Sequence, residues 1–346
     1  MAGPGNILVT GGAGYIGSHM ARYLIEKEEK PVVLDNLSTG YREFVPHDVP
    51  FFKGDLRNPQ DVARLFQQFP IQYVMHFAAQ SIVTESLEKP LEYYENNILG
   101  CLNLLKECVS HSVKGFIFSS TAAVYGEPEH IPIREESLLR PVNPYGQTKL
   151  VCECMLNDAS RRFGLPVVSL RYFNAAGAHP SAEIGEKHPQ ETHLVPNIIS
   201  SVLGVQKELC IFGDDYPTAD GTCVRDFIYV CDLCEAHYLA LGALREKKAA
   251  GIFNLGSGKG YSVKEIIRLA EKITQREIPV RVAVRRPGDP ARLVADFSRA
   301  KKVLSWEPKA DMRVMIETSW RFAGNDLESR RTQGKHMKEE DIKESL

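Results

Sequence analysis

Short apolar runs alternate with amphipathic stretches through the first half of the chain. The runs lie at Asn6 to Thr10, Pro31 to Leu34, Phe51 to Lys53, Tyr73 to Ala78, Gly115 to Ser119 and Val167 to Arg171, and their length and flanking turn residues predict strands. Between them apolar residues recur at helical spacing, as at Leu102, Leu105 and Cys108 in a helix expected from Leu91 to Val109. Alternation of this kind builds a parallel sheet wound on both faces, so the expected fold class is α/β, doubly wound and Rossmann-type.

After Gly177 the texture changes. Pro180 to Pro189 reads as a polar loop, and helices are expected at Leu194 to Leu203, Ser262 to Thr274, Ser298 to Leu304 and Met312 to Phe322, with short strands and Gly/Pro turns among them. The predicted organisation is a first domain over 1–177, a smaller α+β substrate lobe over 178–324, and a polar tail over 325–346. The stretch Val224 to Leu244 reads as strand then helix, so the chain is expected to return to the first domain there, interleaving the two. From Asn325 onward the residues are polar with little periodicity, which predicts a frayed end.

Composition narrows the function. In 346 residues, 42 Lys and Arg face 44 Asp and Glu for a net charge of -2, with no basic block of the kind that tracks nucleic acid. No apolar run approaches a membrane span and no signal peptide is read, so a cytoplasmic protein without nucleic-acid or membrane partners is expected. The eight cysteines are irregularly spaced in apolar patterns and read as core residues in a reducing compartment. Cys231 and Cys234 have metal or redox spacing, but no second pair or histidine follows, and no metal is expected.

Candidate chemistry begins at Gly11, Gly14 and Gly17, which directly follow a strand and open a helix. Glycines there permit a tight turn and close backbone approach to a pyrophosphate, while the helix start supplies free N–H groups. Asp35 closes the next strand, placed to accept from an adenine-ribose 2′-hydroxyl and so to favour NAD over NADP. Asp55, in Gly54-Asp55-Leu56-Arg57, ends the third strand and is a weaker candidate for the adenine. Farther on, Tyr145 and Lys149 lie one helical turn apart, and Ser119-Ser120-Thr121 ends the strand begun at Gly115, placing a hydroxyl where ligands bind in open parallel sheets. A tyrosine at its ordinary pKa of about 10 is a poor base; a lysine and a positive nicotinamide ring beside it would lower that value.

These features carry a resemblance. Thr10-Gly-Gly-Ala-Gly-Tyr-Ile-Gly-Ser-His19, His76-Phe-Ala-Ala79, Lys89-Pro-Leu-Glu-Tyr-Tyr-Glu-Asn-Asn97, Tyr145-Gly-Gln-Thr-Lys149, Arg171-Tyr-Phe-Asn174, Phe212-Gly-Asp-Asp-Tyr-Pro-Thr218 and Arg225-Asp226 make the chain, from about Asn6 to Phe322, similar to the extended short-chain dehydrogenase/reductase family and to its UDP-sugar 4-epimerases in particular. The resemblance implies tightly bound NAD, a UDP-hexose substrate, 4-epimerisation between UDP-glucose and UDP-galactose, and a homodimer. It implies that Gly11, Gly12, Tyr15 and Ile16 hold the pyrophosphate, Asp35 and Asn36 the adenosine ribose, and Asp55 and Leu56 the adenine. Phe77, Ala78, Ala79, Asn97, Tyr172 and Phe173 would line the rest of the cofactor site, with Thr121, Tyr145 and Lys149 catalytic.

On the same basis Asn174, His193, Leu194, Phe212, Arg225, Arg286 and Asp289 would grip UDP and the sugar. Four positions depart from the common pattern. Ser81 stands where many relatives have a lysine, which would weaken NAD retention. His193 replaces an asparagine near the diphosphate, which would make sugar binding pH-dependent. Thr121 replaces a serine and keeps the hydroxyl, and Leu293 stands where residue size governs tolerance of an N-acetyl group. Three alternatives stay open: a 4-epimerase of another UDP-sugar (an N-acetylhexosamine, xylose or glucuronate), a nucleotide-sugar 4,6-dehydratase, or a non-catalytic NAD-binding protein. Ala122 and Ala123 lack the acids a dehydratase uses after the strand-end threonine.

Overall fold

The computed structural model describes residues 5–189, 191–286 and 289–343, with side chains as far as residue 329. Its thirteen strands are β1 (Asn6–Thr10), β2 (Pro31–Asp35), β3 (Phe51–Lys53), β4 (Ile71–His76), β5 (Gly115–Thr121), β6 (Val167–Tyr172), β7 (Asn174–Ala176), β8 (Leu209–Phe212), β9 (Val224–Tyr229), β10 (Gly251–Leu255), β11 (Gly260–Ser262), β12 (Val280–Ala283) and β13 (Arg292–Leu293). Seven form one parallel sheet in the order β10-β6-β5-β4-β1-β2-β3. The order reverses between β1 and β4, and a crevice opens at such a switch point outside the carboxyl ends of the strands.

Alternate residues of these strands enter two cores. Ile7, Val9, Val33, Met75, Ile117 and Val168 pack under the helices Tyr15–Glu26 and Val230–Arg245 through Met20, Leu24 and Leu233. Leu8, Val32, Val74 and Phe116 face the opposite way, against the helices Pro59–Gln68, Gly100–Ser110 and Pro144–Phe163. Residues of the inner strands are thus spent on one core or the other, β2 and β5 being buried along their whole length, which is why the runs read as continuously apolar.

The smaller sheet sets β9 between β11 and β13, with β7 also pairing β9, and β8 pairs separately with β12. The helices Leu194–Val202 and Val263–Thr274 and the start of Met312–Lys343 close a third core around Ile198, Ile266 and Ile316. The return to the large sheet differs in detail from the expected strand and helix over Val224 to Leu244: β9 stays in the small sheet, the helix Val230–Arg245 covers the large one, and the returning strand is β10. Cys231 and Cys234 lie in that helix as free thiols, and the carboxylate of Asp232 between them accepts from Lys309 N and Ala310 N, each at 2.9 Å.

Two further expectations change. The helix expected over Leu91 to Val109 is interrupted by a π-helical segment, Tyr94–Leu99, between Pro90–Tyr93 and Gly100–Ser110, and Asn97 is buried in it. The end expected to fray from Asn325 instead continues the helix Met312–Lys343; its Glu, Lys, Arg and Gln are good helix formers without an apolar stripe.

Behind the end of β5 lies a buried polar network. Arg171 donates to Glu153 Oε1 at 2.9 Å and Oε2 at 2.5 Å, Ser120 donates to Glu153 Oε1 at 2.5 Å, and Arg171 also reaches the Tyr125 hydroxyl at 3.0 Å. Tyr125 in turn donates to Asn254 Oδ1 on β10 at 2.6 Å. Removing one charge of such a pair strands the other in the core, at a cost of about 3–5 kcal/mol. Glu153→Gln is therefore expected to lower unfolding free energy by that order in urea titrations of the NAD-free protein; a loss below about 1 kcal/mol would mean that Arg171 does not depend on Glu153.

Candidate active site

The glycine turn is shaped by close contacts. Gly11 has φ +69°, and a Cβ there would lie 2.6 Å from Ala78 N in the loop after β4; a Cβ on Gly17 would lie 2.1 Å from Gly11 O. The helix Tyr15–Glu26 begins at Gly14 with neither a side-chain cap nor an acidic residue in its first turn, which leaves its N–H groups and positive dipole end for an anion. Tyr15 donates to Gly177 O at 2.6 Å, joining this turn to the start of the small lobe. These features fit a dinucleotide.

Asp35 braces the same turn. Its carboxylate accepts from Ala13 N at 2.9 Å and Leu37 N at 2.7 Å; burial raises its pKa while these bonds oppose the rise. Asn36 donates to Asp55 at 3.1 Å, and the Arg57 guanidinium bound to Asp55 holds that carboxyl down at about 2. Leu56 is buried beside them. Across the switch point, the Phe77 ring packs 4.7 Å from that of His237. The buried Asn97 accepts from Gln80 N at 2.9 Å and donates to Gln80 O and Thr148 Oγ1, each at 3.0 Å, tying the loop after Phe77, Ala78 and Ala79 to the Tyr145 helix. Ser81, next in that loop, is exposed.

That helix, Pro144–Phe163, starts with Pro at its first position and Asn143 as a cap, accepting from Gly146 N at 2.8 Å. Tyr145 and Lys149 are both buried, the ammonium 6.0 Å from the phenol ring centre, and Lys149 donates to Ser119 O at 2.7 Å. Thr121 ends β5 opposite Tyr172 of β6 and accepts from Ala123 N at 3.1 Å, while Ser119 bonds the Tyr172 hydroxyl. Burial pushes the Tyr145 phenol up to about 12, with the Thr121 hydroxyl opposing, and burial lowers Lys149 to about 8. In the protein alone the phenol therefore keeps its proton at neutral pH.

The sugar-side candidates gather in pairs. Asn174 donates to Asp226 O at 2.8 Å, Arg225 is ion-paired with Asp289, and the Arg286 guanidinium stacks 4.0 Å from the Phe212 ring centre. Leu293 is opposite Arg225 in the β13–β9 pairing and packs on the cluster containing Ala122 and Phe173, next to Thr121. Leu194 begins the helix Leu194–Val202, with His193 as its cap residue. Desolvation opposes charge on His193, though its side chain is 45% exposed, and the carboxylates of Glu186 and Glu191 beside it outweigh that and raise its pKa to about 10. Sequence reasoning missed Glu186, His188 and Glu191, which close around His193; their spacing, Glu-x-His-x-x-Glu-x-His, was the available signal.

The NAD dependent epimerase/dehydratase family matches residues 7–256. A UDP-glucose 4-epimerase of Halalkalibacterium halodurans is 50% identical over 317 residues, covering 91% of this chain and 95% of that protein. Among solved structures, UDP-glucose 4-epimerase from Brucella ovis in complex with NAD has a TM-score of 0.89 at 43% identity, and that from Bifidobacterium longum in complex with NAD+ and UDP has 0.88 at 38%; each covers 92% of this chain and 98% of its own. The chain belongs to the NAD dependent epimerase/dehydratase family, and within it to the UDP-glucose 4-epimerases.

A buried lysine whose pKa falls from 10.5 to about 8 destabilises the fold where it must carry charge. The penalty is full below about pH 8 and fades as pH rises toward 10.5, where the unfolded chain also loses the proton. Lys149→Met is thus expected to stabilise the NAD-free protein at pH 7 and to lose that advantage at high pH. Unfolding titrations at several pH values would refute this if the variant were less stable at pH 7.

Proposed function

We propose that this protein interconverts UDP-galactose and UDP-glucose by inverting C4 of the hexose with bound NAD. The observation that carries the reading is the buried row of Thr121, Tyr145 and Lys149, set at the carboxyl ends of the same parallel strands as the glycine turn. Bound NAD would supply reversible hydride acceptance at C4, so that hydride lost from one face and regained on the other inverts that carbon with no net oxidation. Tyr145 accepts the proton of the 4-hydroxyl while Thr121 orients that hydroxyl. Lys149, anchored on Ser119 O, holds the nicotinamide ribose and stabilises the phenolate. With Tyr145 at about 12 in the protein alone, its proton leaves only when further positive charge lies beside the ring.

In this reading Gly11, Gly12, Gly14, Tyr15, Ile16 and Gly17 bind the pyrophosphate, Asp35 and Asn36 the adenosine ribose, and Asp55 and Leu56 the adenine. Phe77, Ala78, Ala79, Asn97, Tyr172 and Phe173 enclose the remainder. Arg225 and Arg286 meet the diphosphate, as guanidinium groups do through paired N–H bonds, with Asn174, His193, Leu194, Phe212 and Asp289 around the rest of the UDP-sugar. Residues 1–177 and the returning segment form the NAD domain, and 178–324 the sugar lobe. Ala122 and Ala123 offer no acid or base for a 4,6-elimination. A homodimer is supported by exposed apolar residues on the flanking helices, Leu87 at 51% and Leu91 at 80%. The free cysteines fit the cytoplasm, and among the described residues no helix is long and apolar enough to cross a membrane.

Tyr145→Phe is expected to lower kcat by ~10² to 10⁴ while leaving NAD in the purified protein; near-normal turnover of UDP-galactose would end this mechanism. Leu293 beside Ala122 and Phe173 restricts space near the hexose, a kind of exclusion worth ~1 to 3 kcal/mol. UDP-glucose and UDP-galactose should be preferred over their N-acetylated counterparts, and Leu293→Ser should narrow the gap. Equal kcat/KM for both pairs in the unaltered enzyme would show that Leu293 is not the gate.

A further inference from the structure

The loop between β7 and the helix Leu194–Val202 brings Glu186, His188, Glu191 and His193 together, with one donor atom from each within 4.8 Å of all the others. His193 Nδ1 lies 2.7 Å from Glu186 Oε1 and 3.3 Å from Glu191 Oε1. His188 Nδ1 lies 3.0 Å from Glu191 Oε2 and 3.8 Å from Glu186 Oε1. A tetrahedral ion with bonds of about 2.0–2.1 Å holds its ligand atoms roughly 3.3–3.4 Å apart, so these separations span those of a coordination shell. The Glu186 side chain is 4% exposed, and its Oε2 has no hydrogen-bond partner. The contacts to His188 and His193 are made by Oε1, so the carboxylate keeps a second buried oxygen whose desolvation no donor offsets, and a cation bound to the carboxylate would neutralise that charge. Two imidazoles and two carboxylates suit zinc better than the hard cations, which prefer oxygen throughout.

We infer that Glu186, His188, Glu191 and His193 bind one divalent transition-metal ion of the zinc type, which clamps the loop carrying His193 and Leu194. Clamping follows from the chain path: His193 directly precedes the helix Leu194–Val202, and Glu186 adds to the rise that burial gives the Tyr15 phenol, so the cluster lies between the glycine turn and the sugar lobe. The link to the sugar rests on the function proposed above, whereas metal binding does not.

The test is to strip the NAD-containing protein with a chelator, titrate zinc calorimetrically, and measure bound zinc after gel filtration, for the parent, Glu186→Gln and His188→Ala. The parent should take up about one zinc per chain, with affinity falling roughly 10- to 100-fold or more in both variants. His188→Ala alters no residue assigned to NAD or UDP-sugar, and its NAD content reports that it is folded. No saturable zinc uptake by the parent overturns the site. Undiminished uptake in both variants overturns it too, by placing the metal elsewhere, as at the exposed Cys154. The cobalt-loaded parent should lack the thiolate charge-transfer absorption that a cysteine site would show. Zinc removal should raise KM for UDP-galactose in the parent but not in His188→Ala, and an unchanged KM in the parent overturns the clamp. Absence of any epimerase activity would count against the proposed function alone, because zinc uptake is read without turnover.

Discussion

The active site turns on one buried cation. Lys149 is 4% exposed, and the only hydrogen bond it makes among the described residues is to Ser119 O. An ammonium in that position is unfavourable for the folded chain alone, and in the function proposed above it is kept there to stabilise the Tyr145 phenolate. The helix Pro144–Phe163 therefore has to be placed accurately, and the surrounding contacts do so. Asn143 caps it, Asn97 binds Thr148 from the π-helical segment, and Glu153 ties it through Arg171 to β6. The π turn is of use here because it carries Asn97 into contact with both Gln80 and Thr148, and such segments are frequent at functional sites.

The sugar lobe follows a different economy. Its arginines are already occupied, Arg225 by Asp289 and Arg286 by the Phe212 face. Partners of this kind order the guanidinium groups, so that in the function proposed above a diphosphate would meet them without first ordering long side chains. Leu293 is coupled to Arg225 by strand pairing and to Ala122 and Phe173 by packing. In the function proposed above, the residue beside the hexose and one that meets the diphosphate thus sit on neighbouring paired strands, β13 and β9.

The glycine turn links the two parts. Gly11 brings its backbone against Ala78 so closely that any side chain would collide, and Tyr15 reaches Gly177 where the sugar lobe begins. Asp35 contributes twice, since the carboxylate that suits a ribose diol also fastens Ala13 within the turn. In the function proposed above, a single carboxylate would thereby couple the shape of the pyrophosphate site to cofactor choice.

Local period and local stereochemistry were enough to read the large sheet: its first six strands, the glycine turn, Asp35 at the end of β2, and the one-turn spacing of Tyr145 and Lys149 are all set within a few residues of chain. The family resemblance added Asn97, Arg225, Arg286 and Leu293 by position, without their partners. What tertiary structure alone decided depends on segments far apart in sequence. β10 completes the large sheet while β9 stays in the small one, because strand pairing is settled by which apolar faces can be covered together. Arg171 finds Glu153 across 18 residues and Tyr125 across 46, and no periodicity records such pairs. Glu186 reads as an ordinary loop residue although it is only seven positions from His193, because spacing in a loop does not say that its carboxylate turns to within 2.7 Å of the His193 ring. Periodicity reports which face of an element is buried; which partner meets that face is settled only when the elements pack.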